Sequence, residues 1–218
     1  MQKLPKLLTK VWTIIVAVFL CCACSASSDR YVYTAEERLT GTGTGAASCF
    51  YSPGIESNVY LASAIFVGNV ESEPEEVLYP AGEISIGRME YTVSVEDIWY
   101  GECEEKITVS ASSGSGVSNP RKGDKAVFFL TRTVLSEYDD KLVYKTVNDP
   151  ESILIINPPS DRLFSLSTLE NMTAYDGKTP ETLQKDIEKI LQDMANGKME
   201  ALFCGEILQT YLEEYGVK

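Results

Sequence analysis

The chain of 218 residues contains no histidine. That absence removes Ser–His and Cys–His nucleophilic pairs, histidine general bases and the commonest zinc ligand sets together. Basic residues are scarce as well: 19 Lys and Arg face 32 Asp and Glu, a formal net charge of −13. Phosphate backbones are bound by Lys and Arg neutralising their charge, so nucleic acid is not an expected partner. No G-x-x-x-x-G-K-[ST], G-x-G-x-x-G or G-x-S-x-G pattern occurs, and no serine has an S-x-x-K companion. These are the motifs that place phosphate-binding loops and activated serines, so neither a cofactor nor a serine nucleophile is expected.

Long apolar runs are missing too. The strongest, residues 11–20, is too short for a bilayer span, which needs about 20 residues. It follows Lys3, Lys6 and Lys10 and runs into Cys21, Cys22, Ala23, Cys24 and a serine-rich stretch. A basic segment, a short apolar core and a small residue before the cut are what signal peptidases accept. The segment resembles bacterial lipoprotein signal peptides, in which a Leu-like residue and two small residues precede the acylated cysteine. Cys24 is the modified residue on this reading, with Ala23 just before the cut; Cys21 stands where Leu is usual, and Cys21 or Cys22 are the alternative sites. Ordinary cleavage with full secretion and an uncleaved anchor are the alternatives to lipidation. The resemblance implies acyl chains on Cys24, the membrane as the first partner and a location on the extracytoplasmic face of a bacterial cell membrane. Cleavage there removes three of the basic residues and none of the acidic ones, leaving a still more acidic chain.

Three cysteines follow, Cys49, Cys103 and Cys204, without metal-like spacing. One disulfide between two of them with one free thiol, or three reduced and buried thiols, fits the count. Ser110, Ser112, Ser113, Ser115 and Ser118 read as a Gly/Ser loop. The pairs Glu75-Glu76, Glu104-Glu105 and Asp139-Asp140 read as solvated turns in an acidic chain, so no metal site is expected.

Periodicity divides the rest. Residues 24–48, with Gly41, Gly43 and Gly45 and few large apolar side chains, are expected to form a flexible tether in which Tyr31 and Tyr33 order only locally. Ile55, Val59 and Ala62 fall at helical spacing behind Pro53-Gly54. Residues 64–70 are expected to form an apolar strand in which Gly68 marks a bulge or a bend, and residues 71–88 a long excursion. Tyr91, Val93 and Val95 alternate with polar residues, Ile107 and Val109 repeat the pattern, and residues 126–130 lack any polar interruption, as befits a strand covered on both faces. Residues 142–147 and 152–156 complete six strands. From Thr179-Pro180 the period becomes helical, with Leu183, Ile187, Ile190, Leu191 and Met194 in one stripe and a second stripe over residues 202–215.

The fold class expected is mainly β with appended α: a signal peptide over 1–23, a flexible tether over 24–48, a small antiparallel OB-like barrel over 49–160 and, over 161–218, a C-terminal helical extension whose two stripes form a hairpin packed on the barrel. Residues 63–70, 91–101 and 123–130 resemble the first strand, second strand and post-loop strand of bacterial domains similar to the netrin and metalloproteinase-inhibitor module, whose fold is an OB-type barrel. Animal inhibitors of that fold act through an N-terminal Cys-x-Cys; here the only such triplet is Cys22-Ala23-Cys24, so the inhibitor mechanism does not carry over. Asn171-Met172-Thr173 matches the glycosylation sequon, by chance in a bacterial-type chain. The expected function is that of a lipid-anchored, non-catalytic binding protein of unknown ligand, using a barrel face and the loops 71–88 and 112–121. A carboxylate-based envelope enzyme and a purely structural envelope lipoprotein are the alternatives.

Overall fold

The computed structural model describes residues 30–37, 54–81, 84–113, 119–134, 142–148 and 151–198. The chain divides into Met1–Arg30 and Tyr31–Lys218, and the architecture belongs to the second unit. Cys24, Cys49, Cys204, Asp139-Asp140 and the stripe over 202–215 lie outside the described residues.

The protein is mainly β, with one sheet of eight strands and a few helices. In order these are α1 (Ile55–Leu61), β1 (Ala64–Val70), β2 (Glu75–Ala81), β3 (Ile84–Gly101), β4 (Lys106–Ser112), β5 (Lys125–Val134), β6 (Leu142–Thr146), β7 (Ile153–Asn157), β8 (Arg162–Ser165), α2 (Glu170–Thr173) and α3 (Pro180–Ala195). β1 pairs antiparallel with both β3 and β5, β3 with β4, and β5 with β6. A parallel contact between β4 and β6 joins the two arms, so the pairing path runs β1–β3–β4–β6–β5 and returns to β1. β7 extends from β5, and β8 from β7.

Period-2 alternation produces two cores. Phe66, Tyr91, Val93, Ile107, Val109, Phe128 and Tyr144 point into the ring, where Phe66 and Phe128 stack with centroids 5.4 Å apart. The intervening Ile65, Val67, Val127, Phe129 and Leu154 point outward, under Ile55 and Val59 of α1 and Leu183 and Ile187 of α3. β1 and β5 are thus buried on both faces, as the unbroken apolar run at 126–130 predicts. In α3, Thr179 is the N-cap residue, Pro180 takes the first turn and Gly197 leaves the helix at φ 70°. Asn58, fully buried on α1, ties the helix to the β6–β7 turn. Its amide donates to the Glu151 carbonyl at 2.6 Å and accepts from the Asn148 side chain at 2.7 Å.

Three expectations are corrected. Residues 71–88 are no excursion: Glu75–Ala81 forms β2, paired with residues 84–90 of β3. Pro74 and Pro80 weaken a strand reading, yet β2 pairs only with β3 among the described residues, and an edge position tolerates proline. The span 161–218 does not begin as helix, because Arg162–Ser165 forms β8 and continues the sheet. Nor are Tyr31 and Tyr33 part of a loose tether. Tyr33 is 5% exposed within the inner core and stacks on Phe164 with centroids 6.2 Å apart. Its backbone N–H donates to Asn157 Oδ1 at 2.9 Å, and Asn157 Nδ2 donates back to its carbonyl at 2.8 Å.

Candidate functional site

A groove of about 480 Å³ lies on the flank of the sheet, between β1, β3 and β7 and the first turn of α3. Val67 and Ile156, both buried in the outer core, form its floor. Trp99 forms one wall, Thr179, Pro180, Glu181 and Gln184 the other, and Ser160 and Asp161 of the β7–β8 turn with Arg162 at the start of β8 close one end.

Trp99 reaches this groove because β3 departs from regular alternation. Gly68 pairs with Val95 but Val67 with Asp97, and Phe66 pairs with Ile98 but Ile65 with Tyr100. Each shift inserts one extra residue on β3, Glu96 and then Trp99. A bulge re-aims the side chains that follow it. Strict alternation from Tyr91 and Val93 would send Asp97 and Trp99 into the ring; with the bulges, Trp99 packs on the outer core instead. Gly68 permits the first bulge, since a Cβ there would sit 2.7 Å from Val93 Cγ1 and 2.8 Å from the Ser94 carbonyl oxygen.

The polar rim is organised. The indole N–H of Trp99 donates to Asp97 Oδ2 at 2.9 Å, fixing the ring. Glu96 forms an ion pair with Lys125 and accepts from the Asn69 amide. Glu181 lies fully in solvent, where a hydrogen bond from Thr179, with Arg162 and Lys185 nearby, holds its carboxyl below the usual range. The groove offers an aromatic wall, an apolar floor and a rim of both charges, which is the make-up of a site that orients a ligand rather than one that strips it of water.

Elsewhere the residues singled out from sequence are scattered. Ser110 is buried on β4, where Arg88 donates to its hydroxyl at 3.1 Å and its carbonyl at 2.8 Å. Lys145 on β6 lies opposite, its pKa lowered by burial and by the Arg88 charge. Cys103 carries a free thiol packed against the inner core; burial raises its pKa, and the adjacent Glu104 adds to the effect. Glu104 accepts from Tyr144 Oη at 2.7 Å and meets Arg132 at 3.5 Å. Glu75 and Glu76 lie on β2, Glu104 and Glu105 between β3 and β4, and Asn171–Thr173 on α2, so none of the described carboxylate pairs lines the groove. Among the described residues no His/Cys/Asp/Glu cluster suits a metal, and no helix is long and apolar enough to cross a membrane.

No protein-family model matches the chain, and no curated protein does.

Proposed function

We propose that this chain is a lipid-anchored extracytoplasmic binding protein, acylated at Cys24, whose ring of β1, β3, β4, β5 and β6 is an OB-type barrel of the netrin-like kind. The pairing order and the parallel β4–β6 contact support the barrel, because a five-stranded Greek-key barrel needs one such closure. The groove beside Trp99 carries the binding reading: a concave, mixed-polarity site built at a double bulge and fixed by the Trp99–Asp97 hydrogen bond. Two of its four carboxylates favour binding over catalysis. Glu96 is committed to Lys125 and Asp97 to Trp99, and both are exposed, whereas an acid/base pair works through desolvation and mutual repulsion.

The chain has two tryptophans, and cleavage before Cys24 removes Trp12, leaving Trp99 as a built-in reporter of groove occupancy. Titration of the processed protein with soluble peptidoglycan fragments, envelope oligosaccharides and short peptides is expected to change Trp99 emission saturably for one of these classes. Arg162→Ala, which leaves the floor intact, weakens that response. Flat emission with all three classes removes the binding reading and favours a structural envelope role; turnover of any of them favours an enzyme.

A further inference from the structure

Where the tether joins the sheet, the surface changes character. Tyr31 and Val32 are 38% and 49% exposed. The Arg121 guanidinium stacks 3.6 Å from the Tyr31 ring centroid, and Lys122, next along the turn, is exposed. Two cations therefore adjoin an exposed aromatic and an exposed aliphatic side chain in a chain that is strongly acidic overall. Tyr, Arg and Lys are the side chains that bury an apolar body at headgroup depth while holding a polar tip in water.

This patch cannot swing away from the body, because the neighbouring Tyr33 is bonded to Asn157 through both its backbone groups and to Asp124 through its phenol. Nor can it move far from a lipid at Cys24: Tyr31 lies seven positions after Cys24, a fully extended reach of about 25 Å. We propose that Tyr31, Val32, Arg121 and Lys122 form a membrane-contact surface that rests on the phospholipid headgroups of the bilayer holding the Cys24 acyl chains. The inference depends on the lipid anchor of the preceding section. Exposed Glu36 and Glu71 lie near the patch in sequence or through the β1 end, so contact is carried by Tyr31 and Val32, with the two cations reading phosphate and only a modest preference for anionic lipid.

The test uses the acylated full protein, extracted from membranes and reconstituted into phosphatidylcholine vesicles with and without phosphatidylglycerol, their acyl chains brominated. Tyr31→Trp, and separately Val32→Trp, places a quenchable indole in the patch, while Trp99 in the groove serves as internal control. The expected result is a blue shift and loss of most of the introduced emission with Trp99 emission preserved, and weaker quenching when Arg121→Glu and Lys122→Glu are added. An introduced indole that stays unquenched on protein that floats with the vesicles overturns the contact surface and leaves the anchor standing. Protein that carries no acyl mass and fails to float overturns the anchor and the contact surface together.

Discussion

The phenol of Tyr33 donates to the carboxylate of Asp124, 91 residues further along the chain, across one end of the strand ring. Asp124 also accepts the Arg121 backbone N–H at 2.6 Å, so one carboxylate holds both the N-terminal segment and the turn leading into β5. Val70 closes the same end by donating its N–H to the Asp124 carbonyl at 2.8 Å. A stretch with the composition of a spacer thereby becomes part of the core.

The Tyr33 ring and its hydroxyl contribute separately. Tyr33→Ala removes an aromatic from the inner core and is expected to cost about 3–5 kcal/mol. Tyr33→Phe keeps the ring but leaves Asp124 short of one donor, costing about 1–3 kcal/mol. Denaturant unfolding of both variants checks the order; equal stability of Tyr33→Ala and the parent would show that the segment is not docked.

Alkali should unfold the protein through its tyrosines. Burial and a carboxylate acceptor push Tyr144 up to about 12, and the same causes raise Tyr33, bonded to Asp124, and Tyr175, bonded to Asp186. An unfolded tyrosine ionises near 10, so above that pH the unfolded chain releases protons that the folded chain retains. The stability these groups contribute is complete below pH 10 and is lost as pH rises through the folded values. Unfolding free energy measured from pH 8 to 12 should fall above pH 10, less steeply in Tyr144→Phe; identical slopes would remove the linkage.

Gly68 is the sharpest steric constraint in β1. A methyl there meets Val93 Cγ1 and the Ser94 carbonyl at 2.7 and 2.8 Å, so Gly68→Ala is expected to destabilise by about 1–3 kcal/mol. Because the bulge at Glu96 aims the residues after it, the same variant should also shift Trp99 emission. A stable Gly68→Ala protein with unchanged emission would disconnect the bulge from the groove.

Much of the sheet was legible in the sequence because burial on one or both faces leaves a periodic trace. Tyr91 and Val93 alternate, residues 126–130 are continuously apolar, and Thr179-Pro180 marks the start of α3. β2 left no such trace, since an edge strand is held by backbone pairing and its sequence carries Pro80 and two glutamates. β8 is only four residues long, too short to show a period. Tyr33 was hidden because its partners, Asp124, Asn157 and Phe164, are all remote in the chain. The groove was hidden for a different reason: alternation assigns Trp99 to the ring interior, and the register shift at Glu96 turns it to the outside. Each bulge is a property of the paired strands rather than of β3 alone.

Acylation at Cys24 is the proposed attachment of this acidic domain to a membrane. Intact-mass and N-terminal peptide mass spectrometry of protein extracted from cell membranes tests this most directly. The expected species begins at Cys24 and carries acyl chains on that cysteine, and Cys24→Ala loses both the acyl mass and the membrane retention. A mature N-terminus elsewhere, or a Cys24 peptide without added lipid, would contradict it.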